Sequence, residues 1–109
     1  SAPGAISRRE IPQRVEVFEI NGPFFFGAAE AFKEALGQVS GKPGVIIIRM
    51  RDVNLLDSSG LHALQDVVRR FRRDRTIVLL SGVHAQPLAA IQASEVFTEI
   101  STVTDSSRA

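Results

Sequence analysis

Residues 45–71 constrain this chain more than any other stretch. Val45-Ile46-Ile47-Ile48 is an apolar run of strand-forming residues. A polar turn follows, Leu56-Asp57-Ser58-Ser59-Gly60-Leu61. Apolar Leu61, Leu64, Val67, Val68 and Phe71 then recur at three- and four-residue steps. His62, Gln65, Asp66, Arg69, Arg70 and Arg73 occupy the opposite face, which predicts an amphipathic helix. Two serines therefore fall where a buried strand hands over to a helix start. Such a start points free backbone N–H groups outward and favours negative charge. A phosphoryl group, an anionic ligand or an acidic partner surface can each use it. Asp and Ser are equally ordinary helix caps.

The flanking sequence extends this unit. Val15 to Ile20 is rich in strand formers and stops at Asn21-Gly22-Pro23. Phe24-Phe25-Phe26 follows, and three consecutive rings cannot share one side of an extended chain. They read either as core plugging plus an edge or as an apolar docking surface. Ala28 to Leu36 predicts a helix closed near Gly37 or Gly41. Val45 to Met50 reads as a central strand covered on both faces. Thr76 to Leu80 is a second apolar strand, Ser81 to Pro87 a turn, and Leu88 to Ala93 a short helix. Val96 to Ile100 reads as a last short strand or an ordered turn. Residues 1–12, polar with two prolines, read as a linker or cloning remnant, and residues 101–109 as a flexible tail. The folded domain is thus expected over 13–100.

Strand and helix alternate, and the middle strands are apolar throughout. This pattern predicts a single small α/β domain with parallel crossovers. Ligands of such folds gather at the carboxyl ends of the strands, here Gly22–Phe26, Asn54–Gly60 and Gly82–Gln86.

Composition narrows the chemistry. A formal net charge of +1 provides no global field toward nucleic acid or anionic lipid. Arg69, Arg70, Arg72, Arg73 and Arg75 form a local cluster at the end of the amphipathic helix, where positive charge complements the dipole. It reads as a solvated helix end, or as a contact for acidic protein or lipid headgroups. All seven aromatics are Phe, and no Tyr or Trp interleaves with the cluster, which argues against base stacking. The chain has no cysteine, which excludes disulfides and thiolate metal sites. No apolar run approaches the roughly 18–20 residues that span a bilayer, so direct insertion is not expected.

Asp57, Ser58 and His62 invite a triad. Ser58 and His62 are four apart and can neighbour each other on a helix. Asp57 adjoins Ser58 and has no route to the far side of the imidazole, which a triad requires. Two histidines without thiols or spaced carboxylates make a poor metal site. Asp57-Ser58-Ser59-Gly60 lacks both the spacing and the lysine of a phosphate-binding loop. Weak anion or nucleotide binding at the helix start remains compatible, and no cofactor is expected. Phosphorylation of Ser58 would add roughly −1.5 to −2 charges where the dipole supports them, although Asp57 opposes them.

Three segments carry a family resemblance: residues 15–30 around Gly22-Pro23-Phe24-Phe25-Phe26-Gly27-Ala28-Ala29, residues 45–64 ending in Gly60-Leu61-His62-Ala63-Leu64, and residues 79–88. Together they resemble a STAS domain, most closely the carboxy-terminal STAS domain of SulP-type sulfate permeases. The resemblance implies a four- or five-stranded, mostly parallel mixed sheet with helices on one face. It implies a non-catalytic regulatory and interaction module on the cytoplasmic side of an anion transporter. Its partner would be the membrane-transport domain of the same polypeptide or a regulatory protein. In the related anti-sigma-factor antagonists, the serine after the Asp of this motif is phosphorylated by a partner kinase, which blocks binding to the anti-sigma factor. That position is Ser58 here. The helix start and the phenylalanine run together give a candidate partner- or anion-binding surface of Phe24, Phe25, Phe26, Asp57, Ser58, Ser59, Gly60 and His62. Two features depart from the transporter pattern. Transporter domains often carry another residue at the Ser58 position, and they usually continue into a further helix after Ile100.

Overall fold

The computed structural model describes residues 5–11 and 14–105. Five strands form one sheet in the order β1-β2-β3-β4-β5: Ala5–Ile11, Val15–Asn21, Val45–Arg49, Ile77–Val83 and Thr102–Asp105. β1 runs antiparallel to β2, and every other neighbouring pair is parallel. The crossovers are helices α1 (Phe26–Gly37), α2 (Ser58–Arg73) and α3 (Ala85–Gln92), with a 3-10 turn at Glu95–Glu99. The mixed five-stranded α/β sheet agrees with the expected fold class.

Alternation along the strands shows where the core lies. Phe18 and Ile20 on β2, Ile46 and Ile48 on β3, and Val78 and Leu80 on β4 are buried. They meet Ala29, Phe32 and Leu36 of α1 and Leu64, Val67, Val68 and Phe71 of α2 in one apolar cluster. The residues between them, Val17, Ile47 and Leu79, are half-buried. The helices therefore cover one face, and the expectation of a β3 strand covered on both faces is corrected. Its outward apolar residues pack sideways instead, since Ile47 sits in register between Val17 and Leu79.

The chain outside 13–100 contributes more than a linker and a tail. Ala5–Ile11 pairs with β2, and Thr102–Asp105 pairs with β4. Both are edge strands, held by backbone hydrogen bonds to a neighbour, and edge strands tolerate polar and charged residues. Residues 1–4, 12 and 106–109 of those two segments lie outside the described residues. Of the two readings of Val96–Ile100, a short strand or an ordered turn, the structure has the turn: a 3-10 turn over Glu95–Glu99, with Val96 inside it and Ile100 just after it both buried. β4 runs three residues beyond Leu80. Gly82, at φ +68°, sits in the register shift between Leu80 and Val83. A glycine in that conformation lets the strand bulge and continue. α3 starts at Ala85 instead of Leu88, with His84 as its cap residue and Pro87 in its first turn.

Candidate functional site

The carboxyl ends of β2 and β3 lead into two loops that are stitched together. The Phe24 N–H donates to the Leu55 carbonyl at 2.9 Å, and Phe24 and Leu56 form an isolated parallel bridge. A third element locks this seam. The Gln86 side chain accepts from the Leu56 N–H at 2.8 Å and donates to the Leu56 carbonyl at 3.0 Å. One amide side chain satisfies both backbone groups of a residue with no strand neighbour on that side. His84 Nε2 reaches the Arg51 carbonyl from the same region.

Asp57 caps α2. Its backbone is extended, and its carboxylate accepts from the Gly60 N–H at 2.9 Å. Its own carbonyl accepts from Leu61 at 2.9 Å. The capping role open to either Asp57 or Ser58 in the sequence thus falls to Asp57. The carboxylate is committed to the cap and does not orient His62. Ser58 is the first residue of α2 and is exposed, while Ser59 is half-buried. Gly60 is buried where the helix start presses on Phe24.

Ser58, Ser59 and His62 of α2 face Phe26, Glu30 and Lys33 of α1 across an open cleft of about 330 Å³, floored by Ala63. α2 lines it with its first two turns, so the exposed Ser58 stands at the α2 N-terminus with Lys33 of α1 across the gap. The phenylalanine run divides sharply. Phe24 is fully buried and packs edge-on against Phe32, with ring centroids 5.2 Å apart. Phe25 is 42% exposed and Phe26 68% exposed. Phe24 and Gly60 therefore offer no surface to a partner: they belong to the support of the site. Leu55, 50% exposed, extends the apolar rim from the neighbouring loop. Sequence reasoning did not single out Leu55, Glu30, Lys33 or Gln86. The first is signalled by two leucines preceding the acidic turn, of which only one can enter the core. The others become visible only when α1 and α3 are placed. No cluster of three or more metal-ligating side chains occurs among the described residues.

Comparison with known proteins agrees with this architecture. The STAS domain family model matches residues 8–109. YvdB of Bacillus subtilis (strain 168), which carries the name of a sulfate transporter, is 28% identical over 96 residues, covering 87% of this chain and 18% of that protein. The chain thus spans about a fifth of that relative's length. The structure of a sulfate transporter family protein from Wolinella succinogenes superposes with a TM-score of 0.76 at 37% identity, over 96% of this chain and 88% of that one. The STAS domain of a SulP transporter from Vibrio cholerae gives 0.65 at 28% identity, over 87% and 76%. An anti-sigma factor antagonist from Mycobacterium paratuberculosis shares the fold, with a TM-score of 0.75 at 21% identity over 94% and 89%. With its family model running from within β1 through the capped serine turn to β5 and beyond, this chain belongs to the STAS domain family.

Proposed function

We propose that this chain is a non-catalytic regulatory domain of a SulP-type anion transporter, on the cytoplasmic side of the membrane, docking through the face around Asp57–Gly60. The observation that carries the reading is the exposure of Phe25, Phe26 and Leu55 on the two bonded loops that lead into α1 and α2, with Phe26 across the cleft from the exposed Ser58. Large apolar side chains clustered on a surface mark a contact site more often than isolated ones do. The partner on this reading is the membrane-transport domain of the same polypeptide or a regulatory protein. The relation to sulfate transporter proteins supports the first of these.

Two measurements test it. The reading frame upstream of residue 1 should encode membrane spans, and a frame without them overturns the transporter assignment. In the full-length protein, Phe26→Ser should change sulfate uptake by membrane vesicles without lowering protein abundance. Unchanged uptake removes the docking face.

A second reading is favoured by one specific observation, the exposed hydroxyl of Ser58 at the first position of α2. The domain then acts as a free-standing anti-sigma-factor antagonist switched by phosphorylation of Ser58. A phosphate there gains from the helix dipole and from Lys33 across the cleft, and is opposed by Asp57 and by Glu30, which pairs with Lys33 at 4.0 Å. Incubation with cognate kinases should add the mass of one phosphate, and Ser58→Glu should weaken partner binding. Neither effect would be seen if Ser58 is merely a solvated helix residue.

A further inference from the structure

At the end of the domain opposite Ser58, three segments distant in sequence converge. The Arg14 carbonyl accepts from the Gly44 N–H at 2.9 Å and from the Val45 N–H at 3.3 Å. The Thr76 hydroxyl donates to the Pro43 carbonyl at 2.7 Å, and the Ile77 N–H donates to the Gly44 carbonyl at 2.9 Å. This seam gathers Arg14, Lys42, Arg72, Arg73 and Arg75 at the amino ends of β2, β3 and β4, all exposed. Within these segments Asp74 is the one acid, and it is half-buried. No ion pair engages any of the five cations among the described residues, whereas Arg69 pairs with Glu95 and Glu99, and Arg70 donates to the Leu36 carbonyl.

The backbone supplies a second, independent observation. Arg14 (φ 68°) and Arg75 (φ 61°) are the non-glycine residues with left-handed backbone among the described residues. Glycine or asparagine is the comfortable occupant of that region. Here both positions carry a guanidinium, and both lie in the same basic patch.

We propose that this basic end is a docking surface for an acidic protein segment, separate from the serine face. Four of the five cations are arginines, whose planar forks pair with carboxylates through two parallel hydrogen bonds. The chain contains no Trp or Tyr to anchor in a lipid interface or to stack on bases.

The test is binding of a fluorescent octaglutamate peptide to the 109-residue chain at physiological ionic strength, read by anisotropy. Saturable binding is expected. Arg14→Gly/Arg75→Gly should weaken it about tenfold while leaving the unfolding temperature unchanged or raised, because glycine relaxes both backbones. Arg72→Gln/Arg73→Gln, which keeps the helix, should weaken it to a similar degree. Phe26→Ser should leave it intact, so that failure of the serine-face reading is scored separately. Absence of saturable binding overturns the proposal, as does binding that ignores both double variants. Association with phosphatidylglycerol vesicles but not with the peptide overturns it in favour of a membrane contact.

Discussion

Gly60 stands against the backbone of Phe24 so closely that a Cβ on it would lie 2.2 Å from the Phe24 carbonyl oxygen. The same Cβ would meet the Leu56 side chain at 2.8 Å. The helix start is thus wedged under the loop that leaves β2, and the serine face is set by this contact. Gly60→Ala should force the two loops apart and destabilise the domain by about 3 kcal/mol, since the obstacle is backbone and cannot rotate away. Thermal unfolding measures it, and an unchanged midpoint would refute the contact.

Gln86 is expected to matter far more than an exposed glutamine should. Gln86→Ala removes both bonds to Leu56 and should cost about 1–2 kcal/mol. Gln86→Glu keeps the acceptor but sets a carboxylate oxygen where Nε2 now donates to the Leu56 carbonyl. Hydrogen exchange at the Leu56 amide reports the effect directly: exchange should accelerate in both variants, more in Gln86→Ala.

The cap assignment separates neighbouring residues. Asp57→Ala should destabilise by about 1 kcal/mol, the usual value of a lost side-chain cap. Ser58→Ala, which removes an exposed hydroxyl with no capping bond, should fall within about 0.5 kcal/mol of the parent in urea titrations. Equal losses in the two variants would mean that the hydroxyl shares the cap.

The sheet predicts a comparable contrast between adjacent isoleucines. Ile48 is fully buried beneath the helices, and Ile48→Ala should cost about 3–4 kcal/mol. Ile47 lies on the open face beside Val17 and Leu79, and Ile47→Ala should cost about 1 kcal/mol. Chemical denaturation of both variants resolves the pair, and losses of similar size would show that the second face is covered too.

These contrasts show what a linear reading can and cannot reach. The α2 pattern from Leu61 to Phe71 was legible because helical period is a property of local spacing. Val45 to Ile48 was legible as a strand but not as a half-open one, since an apolar run looks the same whether its outer side chains meet a helix or their own cross-strand neighbours. β1 and β5 escaped because an edge strand is recruited by its partner's backbone, and Ser-Arg-Arg-Glu carries no apolar alternation of its own. The acidic serine turn was identified at Asp57–Gly60. That its three phenylalanine neighbours cannot all face one side was legible, but which ring went where was not.

By itself, the order of residues determined an α/β alternation, a helix start at the serine turn, and a cluster of arginines at the far end of α2. Each of these depends on residues within a few positions of one another. Tertiary structure alone decided that Phe24 goes inside while Phe25 and Phe26 stay out, that Gln86 clasps Leu56 from 30 residues away, and that Arg14 and Lys42 join the arginines of α2. Those outcomes turn on contacts between segments remote in sequence, where packing and backbone pairing, rather than local preference, set which groups meet.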